Sequence, residues 1–248
     1  MLAMTTRLGG PRAITSIKGA LAVTAAMALL AGCGGDDKSD GGDFAKGKAD
    51  DIVATAKADM KKLDSVHMSG SISSSGQSLD IDLQVSSEGS CHGTFGIGEG
   101  SAEVLGVDGK SWFKPNEAFW REQGGDQADT LIAMVGDKWV VDNSGQFSQF
   151  CDLDSLLDDV LADETTDATY SVDGTEEIDG DTVVKVDRKS EKDGTSSGYV
   201  LADSPHYLVK VEKTEGEDAG TITFAEFNED FTVEAPADDE VIDLDNAG

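Results

Sequence analysis

Residues 78–85 read SLDIDLQV, which puts Leu79, Ile81, Leu83 and Val85 on one side of a two-residue period. Asp80, Asp82 and Gln84 fall on the other. A strand patterned in this way has one dry face and one wet face, as in antiparallel sheets. Residues 66–74, 91–97 and 102–107 continue the alternation less strictly, and Asp108-Gly109 within GVDGKSWF is a favoured type I′ hairpin pair. The last third returns to the same pattern in ATYSVDG, DTVVKVDR, SGYVLA, YLVKVEK and TITFAEFN. Turn residues separate these runs, with Asp179-Gly180 at one turn and Asp193-Gly194 at another.

A longer period governs the segments between. In residues 44–63, Ala49, Ile52, Val53, Ala56, Met60 and Leu63 recur at helical spacing with Asp, Lys and Thr opposite them. Asn116 is placed to cap a short helix carrying Phe119 and Trp120, and Asp152 to cap LDSLLDDVLAD. DQADTLIAMVGD predicts a further helix, and residues 139–141 a brief strand. The order predicts an α+β fold. It consists of an antiparallel β-sheet of about ten strands with helices gathered on one face.

The N-terminus has another character. Arg7, Arg12 and Lys18 precede an apolar run, residues 20–31, that is too short to cross a bilayer and suits an export signal. It ends in Leu30-Ala31-Gly32-Cys33, which looks like a bacterial lipobox, with Cys33 acylated and becoming the first residue after cleavage. An ordinary secretory signal with a stray cysteine is the alternative. The expected organisation is a signal peptide at 1–32, an acylated flexible linker at 33–43 and one domain at 44–248. Two acyl chains on Cys33 would anchor the chain stably, since each buried CH₂ is worth about 0.8 kcal/mol.

Charge narrows the partners. The chain carries 49 acidic and 19 basic residues, a formal −30; without residues 1–32 the balance is 16 basic against 49 acidic, or −33. Such a surface repels nucleic acid and anionic headgroups, so no nucleic-acid partner is expected and the body should stand off the membrane. With Cys33 assigned to lipidation, Cys91 and Cys151 remain as an even pair in an oxidising compartment. A disulfide is the expected state, and two separately buried thiols are the alternative.

Candidate chemistry is thin. GTSSG at 194–198 matches a hydrolase nucleophile pattern, but the strand–turn–helix setting is missing, so it reads as a hairpin loop. GVDGKS would need glycine at Val104 to be a phosphate loop. His67, His92 and His206 share no metal-ligand spacing, and no metal or cofactor is expected. The Asp-rich run 152–163 lacks the glycine and spacing of a calcium loop. Trp112, Trp120 and Trp139 suit core packing better than sugar stacking. No general acid, base and nucleophile assemble, so no enzyme is expected.

The remaining anomaly is apolar surplus. Leu131, Ile132, Met134, Val135, Leu156, Leu157, Val160 and Leu161 offer more apolar surface than one helix face absorbs. Either they pack on one another within the curved sheet or, with Phe119 and Trp120, they line a cavity for an apolar ligand.

At this level the chain resembles the actinobacterial LppX/LprG-like lipoproteins, related in fold to the carrier LolA. The resemblance rests on Leu30 to Cys33, the leading helix, Cys91 and Gly93, GVDGKSWFKP, FWREQGG, GDKWV, FCDLDSLL, YVLADSPHYLVKVEK and APADDEVIDL. It implies a half-barrel cupping helices around a hydrophobic cavity and a monomeric, non-enzymatic lipoprotein on the outer face of the cytoplasmic membrane. The implied function is to bind or carry a lipid or glycolipid. The alternative is an envelope sensor or interaction protein with a self-filled core and a protein partner.

Overall fold

The computed structural model describes residues 42–74, 76–162, 167–216 and 218–246. Cys33, the lipobox and most of the 33–43 linker lie outside the described residues. Twelve strands form one sheet: β1 (Ser65–Ser74), β2 (Gln77–Ser86), β3 (Cys91–Ile97), β4 (Gly100–Val107), β5 (Lys110–Pro115), β6 (Trp139–Val141), β7 (Thr169–Ile178), β8 (Asp181–Ser190), β9 (Gly194–Leu201), β10 (Leu208–Lys213), β11 (Gly220–Ala225) and β12 (Val241–Ile242). Their order is β12-β6-β5-β4-β3-β2-β1-β11-β10-β9-β8-β7, so β12 and β7 are the two edges and the sheet does not close. All neighbours run antiparallel except β12 and β6. The strand count exceeds the expected ten partly through β12, whose two residues are too short to show a period.

Register explains the core. Three rows of inward residues cross the sheet. One runs Val186–Gly198–Val211–Ile222–Gly70–Ile81–Phe95–Ala102. The next contains Phe224, Met68, Leu83, Gly93, Val104, Phe113 and Val140, and beyond it Val66 pairs with Val85 and Val85 with Cys91. Leu83, Val85, Val104 and Val184 are 1% exposed or less. Asp80, Asp82, His92 and Glu103 point the other way, as a period of two requires.

Two of the inward glycines are obligatory. Gly70 and Gly93 adopt φ of 154° and 153°, and a Cβ there would collide with the carbonyl oxygens of Thr221 and Asp82 on the adjacent strands. Glycine inside a strand lets a sheet bend sharply, and these two kinks sit in its central strands.

Among the described residues four helices fill the concave side: α1 (Ala49–Met60), α2 (Glu117–Gln123), α3 (Ala128–Val135) and α4 (Leu153–Leu161). Asn116 Oδ1 accepts from the Phe119 N–H at 2.7 Å and Asp152 Oδ1 from the Ser155 N–H at 3.0 Å, the two caps read from the sequence. Helix α1 is shorter than its period suggested. Gly47 donates back to the Phe44 carbonyl in a preceding turn, the Phe44 ring stacks on His206 at 3.6 Å, and Leu63 is buried beyond the helix end. Asp108-Gly109 and Asp179-Gly180 have positive φ at both residues, as type I′ turns require. GTSSG is corrected: Gly194 opens β9 and the rest of the motif is strand, not loop.

Candidate ligand cleft

The concavity has two unlike halves. Beneath β3–β6, aromatic residues leave little room. Phe113 stacks on Phe147 at 4.2 Å, Phe119 meets Trp120 edge-on at 5.8 Å, and Phe95 lies 4.9 Å from Phe150. Offset and edge-on rings are the favoured aromatic arrangements, and helices α2 and α3 pack into this cluster with Trp120 and Val135 buried. The Trp120 indole N–H is buried there without a hydrogen-bond partner.

Phe147 reaches the cluster because the loop after β6 is tied to one carboxylate. Asp142 accepts from the N–H groups of Phe147 at 2.7 Å, Ser148 at 3.0 Å and Gln146 at 3.1 Å. It also accepts from the hydroxyls of Ser144 at 2.8 Å and Ser111 at 3.1 Å. Partial burial opposes ionisation, but the bonds from Ser144, Phe147, Ser148 and Ser111 outweigh it and hold the carboxyl below its ordinary range. The same loop leads to Cys151, bonded to Cys91 on β3 with Cα atoms 5.0 Å apart. Gly106 on β4 leaves the space for this bridge, since a Cβ there would meet the Cys151 sulfur.

The other half, under β7–β10, is open. A cleft of about 130 Å³ lies between α1 and α4 over the sheet. Val53 and Ala56 of α1, Val160 and Leu161 of α4, and Val186, Val200, Leu208 and Val211 of the sheet line it. Its existence has a local cause. Gly198 stands between Val186 and Val211 in the inward row, so one place in a row of branched side chains is empty. A groove of about 310 Å³ continues outward, sharing Val160, Ala162, Arg188, Ser196 and Val211 with the cleft and reaching Ile72 and Ile222. Helix α4 forms one wall of both. The disulfide fixes its N-terminal end, and Lys61 of the segment after α1 pairs with Asp158 at 2.8 Å on its exposed side.

The sequence-selected cavity residues divide between these halves. Val160 and Leu161 line the cleft. Leu157 is buried and Leu156 half-buried in the core beside it. Phe119, Trp120, Leu131, Ile132 and Val135 belong to the packed half, and Met134 is 44% exposed on α3. The sheet lining was missed as a site. Val186, Val200 and Val211 read as ordinary strand core; the available signal was Gly198 within SSGYVL, a glycine inside a strand pattern.

His67 Nε2 pairs with Asp82 Oδ1 at 2.8 Å on the outer face, His92 lies against Phe231 and His206 against Phe44. Among the described residues no group of three or more His, Cys, Asp or Glu could hold a metal ion. No described helix is long and apolar enough to cross a membrane.

No protein-family model and no curated protein matches this sequence. Solved structures do. LprF from Mycobacterium bovis aligns with TM-score 0.53 and 16% identity, over 77% of this chain and all of that one. The lipoprotein LppX from Mycobacterium tuberculosis aligns at 0.42 and 15%, over 75% and 99%. A LolA-superfamily protein from Nitrosomonas europaea aligns at 0.22 and 9%, over 78% and 96%. The first similarity is the one that establishes architecture. The chain thus has the fold of LprF, an open antiparallel sheet cupping helices, as the sequence motifs implied.

Proposed function

We propose that this protein is a non-enzymatic, extracytoplasmic lipoprotein, tethered through Cys33, that holds an acyl chain of a lipid or glycolipid between α1 and α4. The cleft over Gly198 carries the reading. It is a concave, mainly apolar site whose walls come from two helices and four strands, the usual setting of an apolar ligand. Its volume is below the roughly 300–1,000 Å³ of drug-sized pockets. The described form therefore accommodates part of one chain, and a longer chain requires α4 to move outward.

The aromatic packing of the other half favours a second reading, an envelope sensor whose core is largely self-filled. Mass spectrometry of organic extracts separates the two. Protein purified from its native host should carry stoichiometric lipid. Gly198→Val should remove it: a Cβ at 198 meets only Leu208 Cδ1, at an ordinary 3.4 Å, so the added methyls enter the cleft, and valine suits a strand better than glycine. Repeated absence of lipid from the wild type would favour the sensor.

A further inference from the structure

The charge of the cleft is opposite to that of the chain. Acidic residues outnumber basic ones 49 to 19 overall, yet among the described residues the charged ones lining the cleft are Lys57 and Arg188, with no Asp or Glu. The polar groups beside them are Ser196, Ser197 and Tyr170. The carboxylates Asp159, Asp193 and Asp218 enter only in the outer groove, with Lys213. Arg188 lines both spaces, as does Ser196, so a guanidinium and a hydroxyl stand at the junction of the cleft and the groove.

Arg188 is also four-fifths buried and already engages a carboxylate, Nη2 donating to Asp193 Oδ2 at 3.1 Å. A planar guanidinium offers five donors in a fork that matches carboxylate and phosphate oxygens. An arriving anion of the same geometry can replace Asp193 without leaving the buried charge unpaired. Arginine at this position, rather than another valine, has no use to a purely apolar chain.

We infer that the cleft selects a single-chain amphiphile with an anionic carboxylate or phosphate head. The head binds at Arg188 and Ser196, and the tail lies against Val53, Ala56, Val200 and Leu208. This rests on the cleft being the lipid site and adds the head-group class. The acidic groove outside makes the selection directional, because an anion is repelled at the rim and held only at the junction.

Calorimetry on the full chain carrying Cys33→Ala, which avoids detergent, tests this with dodecanoate, dodecanol and inorganic phosphate at about pH 8, where a free carboxylate is fully ionised. Dodecanoate should bind roughly tenfold more tightly than dodecanol. Arg188→Gln should bring dodecanoate down to the affinity of the alcohol, and Asp193→Asn should tighten dodecanoate alone. Equal binding of acid and alcohol by the unsubstituted cleft would overturn the head-group assignment and leave the lipid site standing. Phosphate binding as tightly as dodecanoate would overturn it in favour of a free-anion site. Failure of both amphiphiles to bind would remove the lipid site itself. The acid–alcohol comparison needs no change at Arg188, so a folding defect in that variant does not protect the idea.

Discussion

Asp142 concentrates more hydrogen bonds than its position in a polar loop suggests. It accepts from three backbone N–H groups and two hydroxyls, and through the loop it presses Phe147 onto Phe113. An asparagine has one acceptor oxygen in place of two and adds two donors, so some of these groups lose their partner. Asp142→Asn should destabilise the fold by about 1–3 kcal/mol in urea titrations at neutral pH. The pH dependence follows from the lowered carboxyl. Because the folded form holds its proton less tightly than the unfolded form, the stabilisation is complete above the ordinary carboxylate value of 3.8 and is lost as pH falls through the lower folded value. The gap between wild type and variant should narrow below about pH 4. A gap of constant size down to strong acid would show that the carboxylate charge contributes nothing. Gly93 makes the opposite kind of residue-scale demand. Gly93→Ala should cost at least as much as Asp142→Asn, because the new Cβ strikes the Asp82 carbonyl of a paired strand and its backbone angle disfavours any side chain.

At the scale of elements, the disulfide joins two things that the sheet alone does not hold together: β3 and the start of α4. The bridge closes 60 residues, worth roughly 4 kcal/mol on the chain-entropy model. Changing Cys91 and Cys151 together to serine should lower unfolding free energy by about 2–5 kcal/mol. If the cleft holds lipid as proposed, exchange of that lipid should also become faster, since α4 is one wall of the cleft and loses its covalent attachment. Stopped-flow release measured alongside denaturation checks both; faster unfolding with unchanged release would mean that α4 is held in place by packing alone. The elements themselves were legible because each has a local cause. Alternation marked β2, Asp-Gly pairs marked hairpins, and Asn116 and Asp152 marked helix starts. The cleft was not legible in that way. It arises where Val186, Gly198 and Val211 become neighbours across three strands, and register between strands is set by the whole sheet. Likewise the apolar surplus of α3 and α4 was visible, but how much of it fills a half-barrel and how much lines it depends on Phe147 and Phe150, which arrive from an irregular loop with no period to read.

For the whole molecule, charge and attachment act against each other. With a formal −30 over the chain, mutual repulsion opposes compactness, while an exposed ion pair such as Lys61–Asp158 is screened by solvent and contributes little. Repulsion is the larger and longer-ranged effect. Raising salt from about 0.01 M to about 1 M shortens the screening length from roughly 30 Å to 3 Å, so the melting temperature should rise, and a fall would mean that specific ion pairs dominate. The same field bears on the membrane. A body this acidic is pushed away from anionic headgroups, so under the proposed function retention would come from Cys33, where two acyl chains would supply about 0.8 kcal/mol per buried CH₂. On the same reading, the ten residues from Gly34 to Asp43 would serve as a spacer whose fully extended reach is about 33–36 Å. High salt should therefore leave the wild type in the membrane fraction, because no charge attraction is there to screen, and Cys33→Ala should move the protein wholly to the soluble fraction. Retention of that variant, or release of the wild type by salt, would mean that the body itself binds the membrane and that the acidic surface does not govern its position.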